Sequence, residues 1–477
     1  MNRELTSFHK WLILLNVSVS IFMATLDGSI VNVALPVVSK ELSADIGSVQ
    51  WVVTSYLLTI SVLLLVWGKI SDIYGKKKIF AFGFIIFTAG SLMCGLSADL
   101  KMLVLSRVVQ AIGASAMMAL SQGIVAEVFP ANERGKALGI TGATVAIGSL
   151  VGPSLGGVLT HAFNWQSIFL INIPIGILGA VLTFTTIPKM QGTAETKRFD
   201  FKGSIMLVTA ILILFISLLF LQEGVLPLKI FIPLLLLAFA LLFVFINYEK
   251  NLENPLIKLE LFKIRVFSLG LSSAFLSFVA MSAAMLFIPF YLQYVLGLDT
   301  RAAGLLISFY PAASAILAPI SGRLSDKYSY RPLTVLGLSI NTAVLFGAAT
   351  LNESSSFLKI AVLMALMGAG GAIFQSPNNS SVMGSVPREE LGIAGGINAL
   401  FRNLGMVSGT ALSVLIFTFT SNMDINNFSG QNAAFDTVRF LTGFRVVIIF
   451  AALMCTLGAL ISLTRSVGAV SGSREKA

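Results

Sequence analysis

Runs of about twenty apolar residues, set apart by short charged or glycine-bearing connectors, recur fourteen times along this chain. As helices, such runs are long enough to cross roughly 30 Å of hydrocarbon. Composition agrees, since only 11% of the residues are charged and 56% are hydrophobic, whereas a soluble domain carries about 25% charged residues. The runs are too long and unbroken for the alternating strands, about ten residues each, of a membrane barrel. The expectation is an all-α polytopic membrane protein. The first run starts at Trp11 and ends near Pro36. It is too long for the apolar region of a signal peptide and reads as the first span.

Two connectors carry the same pattern. Gly68-Lys69-Ile70-Ser71-Asp72 recurs as Gly322-Arg323-Leu324-Ser325-Asp326, 254 residues later. A second pair is offset by 257: Glu133 to Gly139 opens one span, Glu390 to Gly396 opens another, and in register Gly148 meets Gly405 and Gly152 meets Gly409. Two six-span halves joined directly would give an offset of roughly 180–190 residues, so the excess holds two more spans. The organisation is therefore a six-helix bundle over 1–190, two inserted helices with their linkers over 191–265, and a second six-helix bundle over 266–477, the bundles being parallel repeats. The inserted spans are almost purely apolar and are expected to face lipid.

The formal charge is +10. With the N-terminus in the cytoplasm, about 23 of the 32 Lys and Arg fall on the cytoplasmic side, as the positive-inside rule requires. That orientation puts both termini in the cytoplasm of a cell inner (plasma) membrane protein. Basic patches interleaved with aromatics are missing, so nucleic acid is not an expected partner.

Charges within spans are costly and mark candidate function. Arg107 falls about six residues, or roughly 9 Å, below the outer surface, and Asp27 about nine residues, or roughly 13 Å. Similar depth and opposite sign make them partners. Burial opposes a carboxylate's charge and a nearby arginine supports it. A carboxyl so balanced can exchange a proton, or the pair can be a static structural ion pair; the sequence leaves both open. Arg402 lies near the middle of its span with no acidic residue inside the second-half spans. It can bind an anionic group or be satisfied by Asn398 and Asn403. Tyr56, Gln122, Tyr291, Gln293, Gln375, Asn378 and Arg402 are the candidates for a central polar cavity. Gly148, Gly152 and Gly156 share one helix face beside Pro153 and Gly157, and small residues at this spacing let helix backbones approach closely.

These stretches resemble signatures of the major facilitator superfamily. Gly68 to Lys78 looks like the family's loop between spans 2 and 3. The resemblance implies a cytoplasmic gate built on Gly68, Asp72, Gly75 and Lys76, with Glu127 as the acidic partner. The second copy, with Asp326, has Ser329 where the first has Gly75, so gating is expected to depend more on Asp72. Leu105 to Gly113 resembles the span-4 arginine motif associated with proton coupling. Gly148 to Gly157 resembles the antiporter motif that marks exporters. Leu26 to Pro36 resembles the first-span signature of the fourteen-span drug:proton antiporter family, the multidrug efflux type.

The implied activity is secondary active efflux of amphipathic compounds in exchange for protons, by alternating access and as a monomer. A dedicated exporter of one metabolite, lipid or antibiotic on the same scaffold is the alternative. The sequence has no P-loop, no histidine or cysteine set at ligand spacing and no catalytic triad. Hence no enzyme activity, cofactor or metal is expected. Cys94 and Cys455 lie in separate apolar runs and read as packing residues.

Overall fold

The structure, a computed structural model, describes residues 6–44, 46–188, 199–222, 227–252, 255–423 and 436–465. The boundary at 190/191 and most of the Asn-rich loop at 422–439 lie outside the described residues.

The first bundle consists of α1 (Ser7–Glu41), α2 (Ile46–Tyr74), α3 (Lys76–Gly95), α4 (Leu100–Val128), α5 (Ala131–Ala162), the short α6 (Ser167–Leu170) and α7 (Asn172–Thr186). The inserted pair is α8 (Phe201–Gln222) and α9 (Leu228–Glu249). The second bundle is α10 (Arg265–Phe290), α11 (Thr300–Tyr328), α12 (Tyr330–Ala348), α13 (Phe357–Gly384), α14 (Leu391–Ser421) and α15 (Thr437–Leu463). With α6 and α7 taken as one crossing, the described helices supply fourteen membrane spans. An even number brings α1 and α15 to the same side, here called the terminal face. On the opposite face Asp99, Asp299 and Asp436 cap α4, α11 and α15 by accepting from backbone N–H groups three residues on.

The end of the first span differs from the sequence reading. The first helix passes Pro36 and ends at Glu41, so Asp27 is fourteen residues from that end rather than nine. The sixth span is interrupted between Leu170 and Asn172. After Pro289, α10 widens into a π turn at Tyr291–Val295, and the Leu296 N–H reaches back to the Tyr291 carbonyl at 3.2 Å.

Packing repeats between the bundles. The pairs α1–α5, α2–α4, α3–α4 and α3–α7 correspond to α10–α14, α11–α13, α12–α13 and α12–α15. The bundles meet along two equivalent seams, α2 with α14 and α11 with α5. Gly68 and Gly392 let the backbones of α2 and α14 touch: a Cβ on Gly68 would lie 2.7 Å from the Gly392 carbonyl oxygen. The inserted α8 rests on both α2 and α14, while α9 packs on α8 and leaves Leu236 and Phe243 about two-thirds exposed. Its outer surface is apolar. The linker before α10 is tied to the second bundle where Lys258 Nζ meets Glu390 Oε1 at 2.7 Å. That carboxylate holds the lysine above its ordinary pKa.

Candidate functional site

Asp27 sits on α1 in the interior of the first bundle, completely buried. Helices α4 and α7 bring three donors to it. Arg107 Nη1 donates to Oδ2 at 2.5 Å, and Gln110 Nε2 donates to Oδ1 at 2.8 Å. Asn172 Nδ2, at the start of α7, donates to Oδ1 at 3.1 Å. The pairing expected from depth alone is present.

The arginine is itself completely buried and held from several sides. Its Nε donates to the Val52 carbonyl at 2.9 Å, and its Nη1 also donates to Gln110 Oε1 at 2.6 Å. The guanidinium lies 4.0 Å from the centre of the Tyr56 ring, a cation–π contact of the desolvated kind. Gln110 donates onward to Ser91 Oγ at 2.8 Å. Two polar atoms here have no partner among the described residues: Arg107 Nη2 and Asn172 Oδ1. Such orphans are uncommon in a buried network. Asn172 Oδ1 is an acceptor beside a carboxylate that is surrounded by donors. A protonated Asp27 would need such an acceptor for its new O–H.

The small-residue face of α5 holds α1 in place. A Cβ on Gly152 would collide with Ser29 Oγ and lie 3.2 Å from the Ile30 nitrogen; one on Gly156 would lie 3.0 Å from the Ile30 carbonyl oxygen. Ser29 donates to the Gly148 carbonyl at 3.2 Å. This seam lies within the first bundle. It sets the position of the helix that carries Asp27 and is not itself the contact between bundles. Gly157 faces open space.

At the terminal face the charges named from the sequence come together. Lys76 Nζ is 3.0 Å from Glu127 Oε2 and 3.6 Å from Asp72 Oδ1. Asp72 also reaches the other bundle, accepting from the backbone N–H groups of Gly392 at 3.0 Å and Ile393 at 2.9 Å. Asp326 does the same in reverse, accepting from Gly135 at 2.7 Å and Lys136 at 2.8 Å. Gly75 turns the corner between α2 and α3 at φ 95°, and Ser329 turns the equivalent corner at φ 128°. The two corners are alike, because the serine adopts the glycine's backbone region, but the copies differ in charge: Asp72 has Lys76 beside it, and among the described residues Asp326 makes no ion pair.

Nearer mid-membrane, Asn398 on α14 donates to Gln122 Oε1 on α4 at 2.7 Å and to Asn379 Oδ1 at 3.1 Å. Asn403 donates to Ser61 Oγ on α2 at 3.2 Å. Gln375 and Arg402 are partly buried. Other proposed cavity residues lie elsewhere. Tyr56 is beneath Arg107, Tyr291 is buried in the second bundle with its O–H donating to the Asn352 carbonyl at 2.7 Å, and Gln293 is exposed in the π turn. Asn378 is engaged by Arg465, whose Nη2 donates to its Oδ1 at 2.6 Å. Burial pushes the Arg465 pKa down to about 10.

Sequence reasoning did not identify Gln110, Asn172 or Arg465. Gln110 could have been found, as it stands three residues from Arg107 on the same helix face. Asn172 is a lone amide in an apolar run, a weaker signal. Arg465 follows the last span and looks like an ordinary flanking charge.

The sequence profile of the Major Facilitator Superfamily matches residues 17–410 and, again, 270–476. The riboflavin transporter RibZ of Clostridioides difficile (strain 630) is 37% identical over 407 residues, covering 84% of this chain and 87% of the relative. The multidrug resistance protein Stp of Mycobacterium tuberculosis (strain CDC 1551 / Oshkosh) is 32% identical over 405 residues, covering 84% and 74%. Among solved structures, the human organic anion transporter MFSD10 (TETRAN) superposes with a TM-score of 0.68 at 13% identity, covering 95% of this chain and 99% of that one. The proton:xylose symporter XylE gives 0.67 at 15% identity, covering 96% and 95%. At such identities the two structures speak for the fold alone. Two equivalent bundles, fourteen spans and these matches give one result: the chain belongs to the Major Facilitator Superfamily, as a fourteen-span transporter whose relatives include multidrug resistance proteins.

Proposed function

We propose that this transporter exports amphipathic compounds in exchange for protons, with Asp27 as the proton-exchanging group. The observation that carries the reading is the buried Asp27–Arg107 pair with the unused Asn172 acceptor beside it. A carboxylate enclosed by donors is stable as an anion. It gains a partner for a proton if the Asn172 amide turns its oxygen inward. The two protonation states then differ in how α1, α4 and α7 are tied, and that difference couples proton movement to the rocking of a bundle.

The terminal face is cytoplasmic in this reading, since most of the Lys and Arg outside the spans are assigned there. Hydrogen bonds between the bundles run from that face to about mid-membrane, so the conformation is closed to the cytoplasm. Asp72, Lys76, Glu127 and Asp326 form the closed gate, and the protein works as a single chain in the cell inner (plasma) membrane. Relatives named as multidrug resistance proteins support broad export. The riboflavin transporter among the relatives favours a second reading, a dedicated metabolite exporter on the same scaffold.

In inverted vesicles holding a proton gradient, substrate addition should release protons through the wild type. Asp27→Asn should bind the same compound without proton release. Coupled transport that survives in Asp27→Asn removes Asp27 from the mechanism. A panel of ethidium, other drugs and riboflavin in a pump-deleted host separates broad from dedicated export: protection against several unrelated compounds supports the first reading, and riboflavin efflux alone supports the second.

A further inference from the structure

We infer that Arg402 is an anion anchor in the path between the bundles, and that the transported compounds include amphipathic organic anions such as aryl carboxylates. The inference rests on the transport reading above and names a substrate class for it.

Arg402 is the twelfth residue of α14, roughly 17 Å along the helix from the terminal face and so near mid-membrane. A guanidinium at that depth is expensive unless paired or hydrated. Another deep cation, Arg107, is paired with Asp27. Arg402 has no hydrogen bond or ion pair among the described residues, and it is only partly buried. Asn398 and Asn403, which flank it on the helix, turn away to Gln122 and Asn379 and to Ser61.

The direction of the side chain follows from its neighbours on the helix. Gly395 lies against α4, where an added Cβ would sit 2.6 Å from the Ala119 carbonyl oxygen. One turn further on, Asn398 still reaches α4 through Gln122. Arg402 is one more turn along the same stripe, and there no partner from the first bundle meets it. It therefore stands where α4 and α14 part, on an opening beside the α2–α14 seam that Asn403 and Ser61 still hold. Asp27, the acid buried at mid-span among the described residues, is committed to Arg107 within the first bundle. The opening thus carries an uncompensated positive charge, bordered by amides from Gln122, Asn379 and Asn398. Such a wall attracts an anionic head group and gives hydrogen bonds to its neighbours, while the surrounding apolar helices accept an apolar body. For a cation the same residue is a repulsive element.

The test is equilibrium binding to the purified full-length protein, read by dansyl fluorescence. The probes are dansylglycine, its uncharged primary amide and the cationic dansylcadaverine. A charge-assisted hydrogen bond contributes enough for the wild type to bind the carboxylate about ten- to a hundredfold more tightly than the amide. Arg402→Gln should bind the two within about twofold and gain affinity for dansylcadaverine, with Arg402→Lys keeping most of the carboxylate preference. A wild type that binds the carboxylate no more tightly than the amide overturns the assignment, and this comparison requires no variant. A preference that persists in Arg402→Gln overturns it as well. No proton gradient is present, so failure of the proton-exchange reading leaves the result intact. Asp27→Asn should keep the carboxylate preference.

Discussion

Asp72 and Asp326 close the terminal face by the same device from opposite bundles. Each accepts from two consecutive backbone N–H groups at the start of a helix in the other bundle, Asp72 on α14 and Asp326 on α5. Gly392 and Ile393 are the second and third residues of α14, where N–H groups lack partners within the helix and carry its positive end, so the Asp72 carboxylate is doubly favoured there; Gly135 and Lys136 are the fifth and sixth residues of α5. Opening this face requires all four hydrogen bonds to break. Asp72→Asn and Asp326→Asn should therefore each shift the population toward the open terminal face, by comparable amounts of about 1–3 kcal/mol. Distances between spin labels at Lys78 and Lys327, both exposed on that face, report the shift. An effect confined to Asp72→Asn would bear out the inequality expected from the sequence.

Ser329, the residue on which that inequality turns, offers its own test. A non-glycine residue at φ 128° is strained. Ser329→Gly should relieve the strain and raise thermal stability by about 1 kcal/mol, a shift of a few degrees in Tm in detergent. Gly75→Ser makes the opposite change at the corner with φ 95° and should lower Tm. If Ser329→Gly lowers Tm instead, some contact of the serine side chain outweighs the strain.

At the buried pair, stability and coupling should separate. Removing one member leaves the other charge buried without compensation, at a cost of about 3–5 kcal/mol. Arg107→Gln alone should lower Tm strongly. The double variant Asp27→Asn with Arg107→Gln keeps hydrogen-bonding groups at both places without charge, and should recover most of that Tm. It should nevertheless show no substrate-driven proton release in inverted vesicles. Proton release by the double variant would mean that the pair is a structural ion pair, the other reading the sequence left open.

What could be read from the sequence follows a physical divide. Fourteen apolar runs with charged punctuation had no soluble alternative, and the 257-residue offset separated the inserted helices from the bundles. The Asp27–Arg107 pair was legible because charge within a span is rare and depth is set by helix rise. Counting depth from Pro36 put the end of α1 five residues early, since a proline near a helix end can be carried when the neighbouring residues stay helical. Cavity residues were harder. Tyr56, Tyr291 and Asn378 are polar residues in spans, as Gln122 is, yet they turn to Arg107, Asn352 and Arg465, whereas Gln122 meets Asn398 of the other bundle. Which face of a helix meets the path depends on how whole helices pack, and apolar periodicity is weak where lipid and protein interior are equally apolar.

The last prediction concerns the α1–α5 seam, where two nearby glycines should behave oppositely. A Cβ at Gly152 would meet Ser29 Oγ in a direct clash, only two residues along α1 from Asp27. Gly152→Ala must push α1 off α5 or drive Ser29 from its bond to the Gly148 carbonyl. Either movement disturbs the register that brings Asp27 to Arg107 and Asn172. Overpacking of this kind costs about 1–3 kcal/mol, and proton-coupled transport should fall about tenfold or more for a buried site displaced by even 1 Å. At Gly157, within the same helix, an added methyl group would have no heavy atom within 4 Å. Gly157→Ala should retain transport and gain about 0.5–1 kcal/mol from the better helix former. Drug efflux and Tm measured side by side for the two variants decide the matter. Equal loss in both would mean that α5 tolerates no added bulk anywhere, and that the seam's contact with α1 is not what protects the site.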